Sequence, residues 1–381
     1  MKKALMYATT ASMIKQFNME NIQLLQKLGY QVEVACNFKQ GSSITPEKVV
    51  QFQQELNQMG IPYYQIPLSR SLFNVAALIK SISQSVKLMN QNQYDLIHCH
   101  TPIGSVVCRL ANRLSRHYQK TRMIYTAHGF HFFKGAPIKN WLLFYPVEKI
   151  CSWFTDVLIL LNAEDYTIAK DKMHAKDVVY LPGVGVDTYA YRNISASRQQ
   201  LREKLGIPEN KVWVLSVGEL IPRKNQETLI CAAAQVPQLF VTIAGRGERL
   251  EYLEKLIEEL GVQDRVKMLG FRSDVPEMCT CCDIFAFPSL QEGLPVAVME
   301  AMACGRAVVC TDIRGNHDLI VEGKGGFLLP VKDVSGFADK LSLLAQDDAL
   351  RQKMGEYNQE FVKKLDISVV NEKMRQVYSG K

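Results

Sequence analysis

The chain reads as an α/β protein built from two doubly wound parallel-sheet domains, and three features predict this. Short β-branched or apolar runs alternate with helix-length patterns along the whole sequence, the rhythm of stacked β-α-β units. At 381 residues the chain exceeds what one hydrophobic core ordinarily organises. A join rich in Pro and Gly, Leu181-Pro182-Gly183-Val184-Gly185-Val186-Asp187, precedes a polar stretch over 192–200. These features place one domain over 1–185, a second over 186–365, and a closing helical segment over 366–381.

Strands are expected at Lys3–Tyr7, Gln31–Ala35, Leu96–Cys99, Met123–Thr126 and Val157–Leu160, each short and dominated by buried residue types. Between them the helical patterns Phe17–Leu28, Val75–Asn90, Gly104–Ser115 and Asn140–Trp153 supply crossovers. The second half repeats the rhythm with strands Val212–Val217, Leu239–Ala244, Val266–Leu269, Ile284–Phe287 and Ala307–Cys310. Its helices are Asn225–Ala234, Arg249–Leu260 and Pro295–Ala303, and a last helix lies around Val369–Tyr378. No sequence repeat relates the halves.

Composition removes several classes. A hydrophobic fraction of 47% with 22% charged residues is globular, and no apolar run nears the roughly 20 residues that span a bilayer. The first residues form a strand with polar residues soon after, not a secretory signal, so a cytoplasmic location is expected. The ten cysteines are expected as free thiols, and the Cys279, Cys281, Cys282 cluster lacks a second Cys/His pair at zinc spacing. No Asp-x-Asp triplet occurs, and neither metal nor prosthetic group is expected. Charge is uneven: residues 1–185 carry 20 Lys+Arg against 11 Asp+Glu, or +9, and 186–381 carry 25 against 27, or −2. The excess concentrates in Arg109, Arg113, Arg116, His117, Lys120 and Arg122, then Lys134, Lys139 and Lys149. It reads either as a patch drawn to anionic lipid or a diphosphate-linked molecule, or as a solvated helix face. Nucleic acid is not expected, because no aromatic-interleaved basic motif accompanies the charge.

The most informative run is Pro288-Ser289-Leu290-Gln291-Glu292-Gly293-Leu294-Pro295, continuing through Val296-Ala297-Val298-Met299-Glu300 to Gly305. Pro295 suits a first helical position and Gly305 a left-handed stop. Amides around Gly293 and Leu294 then stand at the positive end of a helix, where phosphate binds. Carboxylates do not bind phosphate, so Glu292 and Glu300 are expected to hold hydroxyls, as of a ribose and a sugar. The run resembles the Glu, seven residues, Glu signature of the family-four retaining glycosyltransferases. That resemblance implies a GT-B architecture, two facing Rossmann-like domains with an interdomain cleft and a last helix crossing back to the first. It also implies that Glu300 binds the nucleotide ribose and that Glu292 lies beside the donor sugar.

Other motifs extend the resemblance. Val217-Gly218-Glu219-Leu220-Ile221-Pro222-Arg223-Lys224-Asn225 lies between a strand and a helix; Gly218 permits a tight turn and Lys224 stands where a departing diphosphate needs a cation. The family commonly has Arg directly after the glycine; Glu219 stands there, and Arg223 is expected to supply the guanidinium. Ala244-Gly245-Arg246-Gly247 resembles the family's nucleotide turn, placing Gly245 in the donor site. Arg272, after Leu269-Gly270-Phe271, is assigned to the donor and Phe271 to the core. In Tyr125-Thr126-Ala127-His128-Gly129-Phe130-His131, His128 is similar to the family histidine that reaches the donor sugar. His98 and His100 end a strand and are read as cleft wall, not zinc ligands. In the first loop, Ala8-Thr9-Thr10-Ala11-Ser12-Met13, Ser12 and Met13 replace two family glycines; Thr10 and Ser12 are assigned to the acceptor side.

The resemblance implies a retaining, metal-independent enzyme that moves a sugar from a nucleoside-diphosphate sugar, UDP-linked, to a polyprenyl-diphosphate-linked sugar in capsule or exopolysaccharide synthesis. Lys224, Glu292 and His128 are its catalytic candidates. The basic first domain would then sit peripherally on the inner membrane face. Whether retention uses Glu292 as a covalent nucleophile or same-face attack stays open. A sugar-nucleotide epimerase on the same fold, or an inactive nucleotide-sugar-binding partner, are the alternatives.

Overall fold

The computed structural model describes residues 2–40, 44–69 and 74–380. The chain forms two compact units, Met1–Val184 with Val370–Lys381, and Gly185–Val369. The first holds seven parallel strands: β1 (Lys2–Thr10), β2 (Tyr30–Asn37), β3 (Tyr63–Gln65), β4 (Leu96–His100), β5 (Arg122–Ala127), β6 (Val157–Leu160) and β7 (Asp177–Tyr180), in the order β3-β2-β1-β4-β5-β6-β7. The second holds six: β8 (Val212–Val217), β9 (Leu239–Ala244), β10 (Val266–Gly270), β11 (Ile284–Phe287), β12 (Ala307–Thr311) and β13 (Gly326–Leu329), in the order β10-β9-β8-β11-β12-β13.

Both sheets are covered on both faces, which is why their strands read as near-continuous apolar runs. Along β1, Ala4, Met6 and Ala8 enter one core while Leu5 and Tyr7 enter the other. In the second unit Val214, Val241 and Ile243 face one core, and Trp213, Leu215 and Phe240 the other. The helix Ile367–Ser379 closes the β1 core with Val370, Met374, Val377 and Tyr378, the spacing of one helical face. Tyr378 also shares a 2.8 Å hydrogen bond with His98 Nδ1.

Each strand order reverses once, between β1 and β4 and between β8 and β11. At such a switch point the following loops diverge to opposite faces and leave a crevice at the carboxyl ends of the strands. The motifs Gly218–Asn225 and Pro288–Leu294 follow β8 and β11. Three strands, β3, β7 and β13, go beyond the sequence expectation; at three or four residues they are too short to display a period. The expected first loop is absent. β1 runs through Thr10 and the helix Ala11–Phe17 starts at the next residue.

All ten cysteines are free, and all but Cys231 are buried. No helix among the described residues is long and apolar enough to cross a membrane. Of the expected basic patch, Arg113, Arg116 and Lys120 are exposed, but Arg109 is wholly buried. Its guanidinium donates to Glu148 Oε2 at 2.7 Å and Ser105 Oγ at 3.0 Å and lies 4.3 Å from the Tyr125 ring centroid. Burial disfavours its charge, and the facing Glu148 carboxylate, together with Cys151, Tyr125 and Cys99, outweighs that and keeps it charged. Glu148→Ala, which strands this cation, should lower stability by about 3–5 kcal/mol in urea unfolding. Arg113→Ala on the same helix should stay within about 0.5 kcal/mol.

Candidate active site

The loops after β8 and β11 are stitched together by backbone geometry. Pro222–Lys224 forms a single 3-10 turn, and Asn225 takes a left-handed conformation, φ +53, that Asn tolerates better than most residues. Asn225 Nδ2 donates to the Pro288 carbonyl at 3.0 Å, and the Leu290 amide donates to the Arg223 carbonyl at 2.8 Å. Ser289 Oγ reaches the same Arg223 carbonyl at 3.1 Å, while Thr311 Oγ1 donates to the Ser289 carbonyl.

This stitching delivers three donors to one atom. Glu292 Oε1 accepts from Lys224 Nζ at 2.7 Å, Arg223 at 2.9 Å and Ser289 Oγ at 2.6 Å. Burial pushes the Glu292 carboxyl up, but Lys224 and Arg223 pull it down further, and it settles below the ordinary carboxylate value. Lys224 Nζ lies 4.9 Å from the Phe287 ring centroid as well. The Glu292 carbonyl accepts from Arg314 Nε at 3.1 Å, and a Cβ at Gly315 would stand 2.4 Å from the Gly293 carbonyl oxygen. Gly293 and Leu294 are therefore clamped from below by 314–315.

The following helix is Val296–Ala303, one residue shorter at its start than expected. Pro295 caps it with ψ 116 instead of entering it, and Gly305 ends it left-handed at φ +71. Glu300 lies in its second turn, where its carboxylate accepts from the Tyr191 hydroxyl at 2.6 Å. Burial raises its pKa and the Tyr191 bond opposes that only in part. The two carboxylates thus differ in kind: Glu292 is held anionic by cations, and Glu300 is poised toward protonation and held by one neutral donor.

The glycines permit close approach of neighbouring strand ends. Gly218 N donates to the Ala244 carbonyl at 3.0 Å and Gly245 N to that of Gly270 at 2.8 Å. A Cβ at Gly245 would sit 1.8 Å from the Gly218 carbonyl oxygen, so no other residue fits. Arg272 also leaves β10, but its guanidinium is engaged by Asp274, with Nε 2.7 Å from Oδ1. Phe271, expected in the core, is 55% exposed and lies 5.1 Å under the Arg246 guanidinium; β10 ends at Gly270 and the chain turns outward before it.

In the first unit, Thr10 and Ser12 are buried and bonded to each other at 3.1 Å, a consequence of the helix beginning at Ala11. They do not line a loop. His128 directly follows β5, with Nε2 3.1 Å from His100 Nδ1. His98 and His100 are buried side by side, ring centroids 4.1 Å apart, and His98 Nε2 bonds Thr126 Oγ1 at 2.8 Å. Among the described residues no group of three or more His, Cys, Asp and Glu is arranged to hold a metal ion. Sequence reasoning gave no role to Tyr191, Arg314 or Thr101. Tyr191 sits in a polar stretch without a motif. Thr101, at φ +68, bonds Thr9 Oγ1 at 2.5 Å across the β1/β4 switch point.

Known proteins carry the same organisation. Residues 6–162 match the family described as Glycosyl transferase 4-like, and residues 197–361 match Glycosyl transferases group 1. EpsD of Bacillus subtilis (strain 168), a protein assigned as a glycosyltransferase, is 36% identical over 385 residues, covering 100% of this chain and 97% of the relative. The chain belongs to the group 1 glycosyltransferases. This glycosyltransferase is also 29% identical over 283 residues to the UDP-Gal:alpha-D-GlcNAc-diphosphoundecaprenol alpha-1,3-galactosyltransferase of Escherichia coli, covering 71% of this chain and 72% of the relative. Its fold is GT-B: Anabaena HepE, solved with UDP and glucose, superposes with a TM-score of 0.80 at 22% identity over 100% of both chains.

The buried histidines make this glycosyltransferase acid-sensitive. Burial lowers the pKa of His98 to about 3 and of His128 to about 4, against about 6.5 unfolded. Stability from the neutral rings is full above pH 6.5 and is lost as pH falls, because the unfolded chain takes up those protons first. Urea unfolding should lose about 2 kcal/mol per such histidine between pH 6.5 and 5. His98→Asn should remove one histidine's share of that slope.

Proposed function

We propose that this glycosyltransferase is a retaining, metal-independent enzyme that transfers a sugar from a UDP-sugar to a polyprenyl-diphosphate-linked sugar, in exopolysaccharide or capsule assembly at the inner membrane face. The observation that carries the reading is the convergence of Lys224 and Arg223 on one buried carboxylate at the β8/β11 switch point. Two cations balanced by one anion form a site that a diphosphate can enter by taking over the cations. The E. coli relative's name specifies a UDP-linked donor and a diphosphoundecaprenol acceptor, and the HepE complex contains UDP; both support the donor and acceptor class.

In the proposed reaction the anomeric carbon–oxygen bond to the diphosphate breaks as the acceptor oxygen attacks the same face of the sugar. The acceptor proton passes to the leaving phosphate oxygen, and UDP departs. Lys224, Arg223 and the amides of Gly293 and Leu294 hold the charge that grows on the diphosphate. Gly218 and Gly245 keep side chains out of its way. Glu300 holds the ribose hydroxyls in place of Tyr191, and Glu292, once its cations turn to the diphosphate, holds the donor sugar hydroxyls. A carboxylate held low by two cations and a hydroxyl is a weak nucleophile, which favours same-face attack over a covalent intermediate. His128, held neutral, hydrogen-bonds a sugar hydroxyl. Arg272 contributes to the donor site by fixing the β10 exit through Asp274.

The deciding assay supplies UDP-sugars and a lipid-linked acceptor and follows UDP release with the anomeric configuration of the product by NMR. UDP released in proportion to acceptor, with retained configuration and in the presence of EDTA, is expected; isomerised donor without acceptor would instead identify an epimerase. Lys224→Ala should lower kcat about 10²–10³-fold. Glu300→Gln should chiefly weaken UDP binding, by about tenfold for one lost charge-assisted hydrogen bond pair, as read by calorimetry.

A further inference from the structure

We propose that His100 is a positioning residue for His128: it donates its Nδ1–H to His128 Nε2 and so holds His128 in the tautomer that turns Nδ1–H out as a donor. The inference deepens the transfer reading, in which His128 meets a hydroxyl of the donor sugar, and rests on that reading for its effect on turnover. Strands β4 and β5 pair in register up to His100 with Thr126. His100 therefore ends its strand beside the exit of β5, where His128 follows, and the two nitrogens lie 3.1 Å apart. The His100 ring is held from turning away. His98 covers it, ring centroids 4.1 Å apart, and His98 is itself tied at both nitrogens, to the Tyr378 hydroxyl and to Thr126 Oγ1, each at 2.8 Å. The His100 carbonyl accepts from Thr101 Oγ1, which fixes the backbone below the ring.

Proton counting selects the direction of the bond. Burial holds both rings neutral at neutral pH, with the nearby His98 and His128 adding to the effect at His100. Each neutral imidazole carries one N–H and one lone pair, so the bond between them uses one of each. If His128 were the donor, His100 would carry its own proton on Nε2. That atom is buried and has no hydrogen-bond partner, so an N–H there would be stranded at its full desolvation penalty. With the proton on Nδ1 instead, Nε2 keeps only a bare lone pair. Folded proteins leave buried acceptors short of a donor more readily than they strand a buried N–H. His100 Nδ1–H is therefore the donor, and His128 Nε2 accepts. The bond at one ring nitrogen defines the other, so the His128 proton sits on Nδ1. No other described residue bonds that atom, and the His128 side chain is half-buried, not sealed. It presents an N–H to the oxygen of a hydroxyl; the opposite tautomer would present a lone pair.

The tautomer is read in the full chain without donor or acceptor, so a failure of the transfer reaction leaves this measurement intact. Long-range proton–nitrogen correlation spectra are recorded at neutral pH after histidine labelling, and His128→Gln identifies the His128 signals. A protonated Nδ1 and a bare Nε2 at His128 are expected; a protonated Nε2 would overturn the proposal. In His100→Ala water fills the gap and can bond either tautomer, so the two should mix. In His100→Asn the amide nitrogen stands near the lost Nδ1 and donates in its place, which should restore the parent pattern. An unchanged His128 pattern in His100→Ala would overturn the proposal, and the parent spectrum decides even where that variant does not fold. In the transfer assay His100→Ala should lower kcat/KM for the UDP-sugar about fivefold to tenfold, the worth of one hydrogen bond. The Kd for UDP, which carries no sugar, should hold, and His100→Asn should recover most of the loss. Adding His100→Ala to His128→Ala should cost nothing further, because His100 acts only through His128. Losses that multiply in the double variant, or a UDP affinity that falls as far as kcat/KM, would show a merely structural role and overturn the proposal.

Discussion

One oxygen organises the second unit. Glu292 Oε1 accepts from Lys224, Arg223 and Ser289, and each donor is itself fixed by the backbone bonds that join the loops after β8 and β11. A buried carboxylate with one cation would be a poor bargain against desolvation; with two cations and a hydroxyl it stays ionised. The same backbone bonds fix where the two cations stand at the switch point.

The cluster works only because of where the strand order turns. β8 and β11 are neighbours in the sheet though far apart in sequence, so their exits bring residues 218–225 and 288–294 together. Gly245 and Gly315 then let backbone pass within distances that any Cβ would forbid. Tyr191 on one helix and Glu300 on another complete the arrangement, joined by the 2.6 Å bond from the tyrosine hydroxyl to the carboxylate. The first unit repeats the topology with different chemistry: threonines and neutral histidines gather at the ends of β1, β4 and β5, without a cation cluster among them.

Much of this was legible along the chain. Periodicity and length gave two doubly wound sheets, and Gly218, Lys224, Glu292 and Glu300 were visible as motif residues because loops at strand ends have characteristic local chemistry. Partnership was not legible. Arg109 reads as one cation in a basic run, yet its helix turns it into the core against Glu148. Arg223 reads along the chain as a cation for a ligand, and the fold pairs it with Glu292. Phe271 looked like core because it follows a strand, but the strand ends one residue earlier. The first loop vanished because β1 continues through Thr10, polar residues being tolerated there by the Thr9–Thr101 and Thr10–Ser12 bonds.

The sequence by itself determined the α/β alternation, the division near residue 185, the caps and breakers around the 288–305 run, and the residue types that the chemistry needs. These are local properties, set by side-chain volume, backbone freedom and periodicity within a few residues. Tertiary structure alone decided which carboxylate meets cations and which meets a tyrosine, and which arginine is buried. Those outcomes depend on burial and on strand order, and both join residues dozens of positions apart. Neither is encoded in any window of the chain.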